Sequence, residues 1–305
     1  MPSARSLLQR TFRLVRGLAA FVLLGAVLLG AILGWLKWHE DELVFATTLS
    51  HGRTNGQIPS GAEKVAIRET TGTSLAAVIF QADSSYNSGY WVLHFHGNAE
   101  SAFSRTQLSH CQSLASLGLN VLGFDYRGFG LSPGVASEIH MDEDAEAAYE
   151  YLRQRGVPAD RIILWGHSLG SGPATFLAGE RPAAALVLFG AFTSVPDAAA
   201  DTYPYLPVRW LVSVHFNSLT IMPRLHLPVL IVHTTDDTLI PIQEGKRLYA
   251  AAQEPKQLLI LKGPFADGFG GHVDGLYDHL DLLRPKLSML IGAALQQKSP
   301  AAAPQ

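Results

Sequence analysis

A serine stands between two glycines at Gly166-His167-Ser168-Leu169-Gly170, directly after the apolar run Ile162–Trp165. The run has the length of a buried strand, and the residues that follow, through about Gly179, are typical of a helix. A serine on a sharp strand-to-helix turn holds its hydroxyl clear of the backbone, as nucleophilic catalysis requires. Glycine is favoured on both sides because any side chain there would collide across so tight a turn. The pattern makes Ser168 a candidate nucleophile, and an ordinary turn serine is the alternative.

A serine hydroxyl is a weak nucleophile until a base removes its proton and a third group orients that base. Suitable residues follow Ser168 in the chain, each shortly after an apolar run. Asp236 and Asp237 follow Val229–His233, and His272 follows Leu258–Leu261. The order serine, acid, histidine is expected when each group lies beyond the end of a strand in one sheet. From the residues alone, either Asp236 or Asp237 could be the acid.

Short apolar runs alternate with helix-like windows from residue 62 onward. This alternation predicts the α/β class, with a mostly parallel sheet of about eight strands and helices on both faces. Residues 193–227 form an insert that interrupts the alternation of strands and helices. Such an insert is typically a small lid over the site, or else an elaborated surface loop. The predicted strands are Glu63–Arg68, Leu75–Phe80, Tyr90–His96, Asn120–Phe124, Ile162–Trp165, Ala185–Phe189, Val229–His233 and Leu258–Leu261. The predicted helices besides the one after Ser168 are Ser104–Leu117, Asp142–Arg155 and Leu276–Ile291.

The composition limits the classes of function. The chain has 305 residues, 48% of them hydrophobic and 16% charged, with a net charge of -3. This is ample apolar material for one large domain, and the nearly balanced charge gives no sign of a nucleic-acid partner. Cys111 is the only cysteine, so the chain has no intrachain disulfide and no zinc site built on cysteines. His94 and His96 could begin a metal site, but without a third ligand we expect structural roles for both and no metal.

The N-terminal region predicts a membrane anchor. An uncharged apolar run covers residues 17–36, and as a helix it matches the roughly 30 Å of a bilayer's hydrocarbon layer. Four arginines within residues 1–16 precede the run, and Lys37 closes it. The excess of positive charge places residues 1–16 in the cytoplasm and the rest of the chain outside, in the periplasm if the source is bacterial. A cleaved signal peptide is the alternative, but Gly34–Trp38 lacks the small-residue pattern of a cleavage site.

The regions after the anchor follow from composition. Residues 37–61 lead into the domain, and the Thr, Gly, Ser and Asn that they contain predict a linker. Residues 62–292 carry the strands, helices and candidate site, and are expected to form the catalytic domain. Residues 293–305 are expected to be a flexible tail.

Three motifs in a fixed order extend the pattern around Ser168. They are His94–Glu100 (HFHGNAE), Asp125–Ser132 (DYRGFGLS) and Gly166–Gly170 (GHSLG). Together they resemble the α/β-hydrolase superfamily, and more closely its membrane-anchored Bem46/ABHD13-like branch. The resemblance covers about residues 62–292, nearly the whole chain after the anchor.

The resemblance implies a triad of Ser168, Asp237 and His272. In the family, the acid lies at a fixed position within a motif that begins with a histidine and ends with a proline. His233 and Pro241 match these two ends, and the position of the acid between them is that of Asp237. The resemblance also implies that the backbone N–H groups of Asn98 and Leu169 stabilise the oxyanion, and that no cofactor or metal takes part. The chain departs from the family pattern at Thr234, where a glycine is usual, and in a longer turn before His272.

These features predict a serine hydrolase that cleaves carboxylic esters or thioesters, of the carboxylesterase or thioesterase kind. The expected substrates are small acyl esters, lipids or acylated molecules, and the N-terminal helix adds the membrane as a partner. A serine peptidase or other amide hydrolase is an alternative because the same fold supports several hydrolytic reactions. A membrane-tethered scaffold without turnover is the second alternative. The sequence predicts no oligomeric state.

Overall fold

The computed structural model describes residues 4–69, 72–82, 87–202, 204–205 and 208–298. Its centre is a single sheet of eight strands, as expected, and most strand residues beyond the first hairpin are buried. Every predicted strand is present, with ends that shift by up to two residues. The strands, numbered β1 to β8, are Ala62–Arg68, Ser74–Phe80, Trp91–Phe95, Asn120–Phe124, Ile162–His167, Ala185–Phe189, Val229–Thr234 and Lys256–Leu261.

The strand order across the sheet is β1-β2-β4-β3-β5-β6-β7-β8. β2 is antiparallel to both of its neighbours, and the pairs from β4 to β8 are all parallel. The chain runs from β3 outward to β4 and then returns to β5 on the other side of β3. Parallel sheets bind ligands at such a switch point, beyond the carboxyl ends of the strands. The order of the strands therefore places the site just after β3 and β5.

Helices cover both faces of the sheet. Among the described residues they are, from α1 to α11, Ala4–Trp38, Glu40–Val44, Thr47–His51, Arg105–Ser116, Glu138–Gln154, Ser171–Glu180, Val195–Thr202, Val208–Leu211, Ser218–Ile221, Ile242–Ala251 and Leu280–Lys298. The apolar residues of α5, α6 and α10 form one core layer with the sheet, and those of α4 and α11 form the other. Since apolar side chains fill both layers, the carboxyl ends of the strands are held on a rigid base.

The helix α1 is long and apolar enough to cross a bilayer. Its segment from Phe12 to Trp38 has 27 residues and contains an 18-residue apolar window with a mean hydropathy of 2.5, none of which is buried against the rest of the chain. The helix includes all of the predicted span 17–36. Trp35 and Trp38, near its carboxyl end, are both exposed.

Three regions differ from the expectations. Within the predicted linker 37–61, α2 and α3 form and pack on the domain, with Phe45 and Ser50 fully buried. The helix α5 begins at Glu138, four residues early, because the Ser137 hydroxyl caps it by accepting a hydrogen bond from His140 N at 3.2 Å. The last helix, α11, starts at Leu280 and extends to Lys298, so residues 293–298 of the expected tail are helical. The remainder of that tail, 299–305, lies outside the described residues.

Candidate active site

The register of the sheet brings two loops of the sequence motifs together. Phe95 in β3 is opposite Gly166 in β5, so the loop that begins at Gly97 lies beside Ser168. Ser168 has φ +50, in the left-handed region, which is strained for any residue other than glycine and recurs at functional sites. A Cβ on Gly170 would lie 2.3 Å from the carbonyl oxygen of Phe95. The glycine is therefore required for the turn to pack against β3.

Ser168, His272 and Asp237 are joined by hydrogen bonds, although 104 and 35 residues separate the members of the two pairs. His272 Nε2 lies 2.8 Å from Ser168 Oγ, and His272 Nδ1 lies 2.7 Å from Asp237 Oδ2. The His272 and Asp237 side chains are 3% and 1% exposed. A carboxylate at Nδ1 holds the proton on that nitrogen, which leaves the Nε2 lone pair free to accept the serine proton. The arrangement can activate Ser168 as a nucleophile.

Asp237 has the environment of an ionised carboxylate, whereas Asp236 is exposed. The Oδ1 atom of Asp237 accepts hydrogen bonds from Leu239 N at 2.9 Å and Ile240 N at 2.8 Å. Burial on its own would raise the pKa of Asp237, but hydrogen bonds from His233 and His272 outweigh it and hold the pKa below its ordinary value. His233 was expected only as a marker of the motif, and the structure gives it a direct contact with the acid.

The loop before His272 is folded by a single carboxylate. Asp267 Oδ1 accepts hydrogen bonds from Phe269 N and Gly271 N, and its Oδ2 accepts them from Val273 N and Asp274 N, at 2.9–3.2 Å. Burial would raise the pKa of Asp267, and these four backbone donors instead lower it. Asp267 is not among the predicted site residues, and the signal that could identify it is an aspartate among four glycines directly before the histidine.

The two departures from the family pattern meet in this loop. The hydroxyl of Thr234, at the end of β7, donates a hydrogen bond to Gly270 O at 2.7 Å. Gly270 has φ +67, and a Cβ on it would lie 1.6 Å from Asp236 O. The longer turn is thereby closed onto the strand that carries the acid, so that the same contact fixes Asp237 and His272 relative to one another.

The other histidines near Ser168 have structural partners. His167 Nε2 donates to the backbone oxygen of His272 at 2.8 Å, and its ring stacks on Phe189. Burial lowers the pKa of His94 to about 3 and that of His96 to about 4, so both rings are neutral. His94 contacts the Tyr277 hydroxyl, and His96 donates to Gly97 O. Within the part of the chain that the structure describes, no group of three or more His, Cys, Asp or Glu side chains is placed to hold a metal.

The predicted oxyanion residues both line a cavity beside Ser168. The cavity has a volume of about 250 Å³, and Asn98 and Leu169 both line it. Leu169 lies in the 3₁₀ turn Ser168–Gly170 directly after the nucleophile. The side chains that complete the wall are apolar and come from Val44, Phe192, Val195, Ala198, Ala199, Leu239 and Ile240. Such a cavity suits an apolar group next to a reacting carbonyl.

Comparisons with known proteins agree with this fold and site. A family model described as serine aminopeptidase, S33, matches residues 89–226. An uncharacterised protein of Mycobacterium tuberculosis is 40% identical over 207 residues, which cover 68% of this chain and 72% of that protein. The lysophosphatidylserine lipase ABHD12 of Danio rerio is 36% identical over 195 residues, covering 58% of this chain and 51% of the lipase.

Solved structures share the architecture. An esterase of Pyrococcus furiosus superimposes with a TM-score of 0.60 at 20% identity, covering 76% of this chain and 89% of the esterase. The esterase domain of a Rhodothermus marinus protein gives a TM-score of 0.56 at 23% identity, covering 76% of this chain and 100% of that domain. The chain belongs to the α/β-hydrolase superfamily. Its relatives and structural neighbours include a lipase and esterases, and its motifs lie at the carboxyl ends of the strands, where the superfamily has its sites.

Proposed function

We propose that this α/β hydrolase is a membrane-anchored serine hydrolase that cleaves carboxylic esters or thioesters through an acyl-enzyme. The observation that carries the proposal is the hydrogen-bond chain from Ser168 Oγ through His272 to Asp237, at 2.8 and 2.7 Å. These distances allow a proton to pass from the serine to the imidazole without rearrangement.

In the first half of the reaction, Ser168 Oγ attacks the carbonyl carbon while His272 Nε2 takes the hydroxyl proton. The negative charge that develops on the carbonyl oxygen is met by the backbone N–H groups of Asn98 and Leu169. The tetrahedral intermediate collapses, His272 returns the proton to the departing alcohol or thiol, and the acyl group stays on Ser168. Water then attacks the acyl-enzyme by the same steps, with His272 as base, and releases the carboxylic acid.

The surroundings of the site support lipid or acylated substrates. The cavity beside Ser168 is lined mainly by apolar side chains, and α1 offers a helix that can hold the domain at a membrane surface. The relative from Danio rerio is named as a lysophosphatidylserine lipase. We infer that the substrate carries an acyl chain that enters this cavity, and that it reaches the enzyme in or along the membrane.

A peptidase is the second candidate, because the matching family model is described as serine aminopeptidase, S33. An aminopeptidase must bind the charged amino group of its substrate. Among the described residues, the cavity beside Ser168 is lined by no acidic side chain that could do so. We therefore favour ester and thioester cleavage over peptide cleavage.

The test is turnover by the full chain in detergent micelles with p-nitrophenyl esters, acyl thioesters and aminoacyl amides side by side. Ser168→Ala should remove ester hydrolysis by several orders of magnitude while the melting temperature stays the same. Ser171→Ala, three residues on at the start of α6, is the matched control and should keep full activity. Aminoacyl amide cleavage that exceeds ester cleavage would favour the peptidase, and an inactive folded parent would favour the scaffold.

A further inference from the structure

The backbone segment Val44–Ala46, called the strap below, forms part of the wall of the cavity that contains Ser168. Val44 lines this cavity together with Asn98 and Leu169. The strap begins only six residues after Trp38, the last residue of the membrane helix α1. The same short stretch of chain therefore belongs to both the anchor and the site.

An aromatic anchor fixes the strap to the domain. Phe45 is 1% exposed, and its ring packs edge-on against Phe129 and Phe216 at centroid distances of 6.4 Å. Phe129 belongs to the DYRGFGLS motif, and Phe216 belongs to the insert between β6 and β7. Burial of the whole phenylalanine side chain is stabilising, so the strap is held on the domain by its own contacts.

The strap also holds the residue that carries the proposed oxyanion donor. The Asn98 side-chain amide donates from Nδ2 to Val44 O at 2.7 Å, and its Oδ1 accepts from Ala46 N at 2.9 Å. Oδ1 also accepts from Ala99 N, and Ala99 has φ +58, in the left-handed region. Two opposed hydrogen bonds to a backbone leave the amide one orientation, and they fix the loop in which the Asn98 N–H lies.

A carboxylate between the membrane helix and the strap ties both to the insert. Glu40 accepts hydrogen bonds from the backbone N–H groups of Ser213 and Val214, the latter at 3.1 Å, and pairs with Lys37 at 2.6 Å. On the other side, Glu138 accepts from the next two backbone N–H groups, those of His215 and Phe216, both at 2.6 Å. The insert is thereby clamped between the start of α5 and the start of α2, the helix that follows the membrane helix.

We propose that the strap is a working part of the active site: Val44 limits the length of the acyl group, and the backbone of Val44 and Ala46 positions Asn98 for oxyanion stabilisation. This inference rests on the proposed serine hydrolase function. Asn98 acts here through its side chain as a positioning residue, while its backbone N–H is the group that faces substrate. The anchor is then joined to catalysis through the chain itself, because the segment that leaves the membrane completes the cavity.

The first test concerns acyl length, measured on the full chain in detergent micelles with p-nitrophenyl esters from acetate to dodecanoate. Val44→Phe fills the cavity and should lower kcat/KM for the octanoate about tenfold relative to the acetate. Val44→Ala widens it and should shift the preference toward longer chains. Unchanged chain-length profiles in both variants, with the parent active, would overturn the role of Val44.

The second test concerns Asn98 and separates positioning from folding. Asn98→Ala and Asn98→Asp should each lower kcat for the acetate by about 10- to 100-fold with KM changed less than about threefold, because the loss falls on the transition state. The rate of labelling by a fluorophosphonate should fall by the same factor, since that reaction uses the same oxyanion donors. Glu40→Ala should lower kcat by a smaller factor, about threefold to tenfold.

The control is Glu42→Ala, which removes an exposed carboxylate of α2 and should leave kcat and the chain-length profile unchanged. The melting temperatures of all variants are compared with that of the parent. We expect kcat to fall in the Asn98 and Glu40 variants even though they melt within a few degrees of the parent. Equal effects of Glu40→Ala and Glu42→Ala, or Asn98 variants that alter only the melting temperature, would overturn it. A folded parent that neither turns over esters nor labels at Ser168 would overturn the proposed function instead.

Discussion

Asp237, His272 and Ser168 make contacts that determine the tautomer of the neutral imidazole. Two backbone N–H groups point at Asp237 Oδ1, so this carboxyl acts as an acceptor, and its other oxygen faces His272 Nδ1. The imidazole must then carry its proton on Nδ1 and offer Nε2 to Ser168. The tautomer that the proposed mechanism needs is thereby fixed by the loop after β7, before any substrate binds.

The first prediction concerns this acid. In Asp237→Asn, the amide oxygen must face Leu239 N and Ile240 N, so the NH₂ group faces His272 Nδ1 and forces the ring proton onto Nε2. Turnover of p-nitrophenyl esters should fall by about 10⁴. Asp236→Asn is the matched control and should stay within about twofold of the parent. If Asp236→Asn is the more damaging change, the acid has been assigned to the wrong residue.

The principal site residues could be predicted because their motifs are local. Ser168 stands in a five-residue turn pattern, and the frame from His233 to Pro241 selects Asp237 over its neighbour. The contacts of Asn98 could not be predicted in this way. Its partners Val44 and Ala46 lie 54 and 52 residues away, in a stretch whose polar composition indicates a linker. No periodicity links such positions, and only the folded chain brings them together.

At the scale of elements, the loop between β8 and α11 depends on Asp267. Its carboxylate receives four backbone N–H groups, which substitute for the hydrogen bonds that a regular element would supply. His272 lies within this hydrogen-bonded loop. Displacement of the loop by about 1 Å would separate the imidazole from Ser168 enough to slow the reaction severely.

The second prediction follows for Asp267→Asn. The amide can accept at its oxygen only, so two of the four N–H groups would face an NH₂ group instead. We expect kcat for p-nitrophenyl acetate to fall at least about tenfold with little change in KM. Asp278→Asn, an exposed residue of the 3₁₀ turn before α11, should be neutral. Equal activities of the two variants would show that the loop keeps its shape without the carboxylate.

The third prediction concerns pH and the helix α5. Burial, together with repulsion from Glu138, Glu143 and Glu146, raises the pKa of Asp142 to about 8. The folded protein therefore holds a proton there between about pH 4 and pH 8, where the unfolded chain does not. The contribution of Asp142 to stability is present at low pH and is lost as the pH rises through this window.

Asp142→Asn removes that loss, so the variant should be more stable than the parent at pH 8, on the order of 1 kcal/mol, and nearly equal to it at pH 4. The measurement is the melting temperature of both proteins at intervals across this range, with Glu180→Gln at the exposed end of α6 as the control. A constant difference between parent and variant at all pH values would contradict the prediction.

Helices and strands could be predicted where their burial produces a recognisable pattern of apolar residues in the sequence. The buried strands appear as apolar runs, and Asn120–Phe124 and Ala185–Phe189 match the predicted bounds. The predicted start of α5, at Asp142, is too late because it leaves out Ser137 as the cap. The end of α11 was placed too early because Ala293–Lys298 continues the helix after its apolar pattern has faded.

The helix α1, the strap, the insert and the site form one connected unit. Glu40 binds the insert, Phe45 binds both the insert and the domain, and Val44 lines the cavity. The carboxyl end of α1 therefore lies close to the cavity wall. In the proposed topology, this arrangement holds the active site near the outer membrane surface, within reach of acyl chains that leave the bilayer.

The fourth prediction concerns that topology. The arginine excess before the apolar helix should place the domain outside the cytoplasm. In a bacterial host, alkaline phosphatase fused after Gln305 should be active and GFP fused at the same place should be dark. The protein should also stay in the membrane pellet after a carbonate wash. Bright GFP would reverse the topology, and a soluble product with a shortened N-terminus would show that the helix is a cleaved signal.

The most direct test of the proposed nucleophile is to identify the site at which a fluorophosphonate reacts with the full chain. We expect one covalent adduct per folded molecule, carried by the peptide that contains Ser168, with ester hydrolysis lost in proportion to labelling. Ser168→Ala should take up no label, and Ser171→Ala should label as the parent does. A folded parent that takes up no label, or one that hydrolyses esters while Ser168 stays unmodified, would contradict the central claim that Ser168 is the nucleophile.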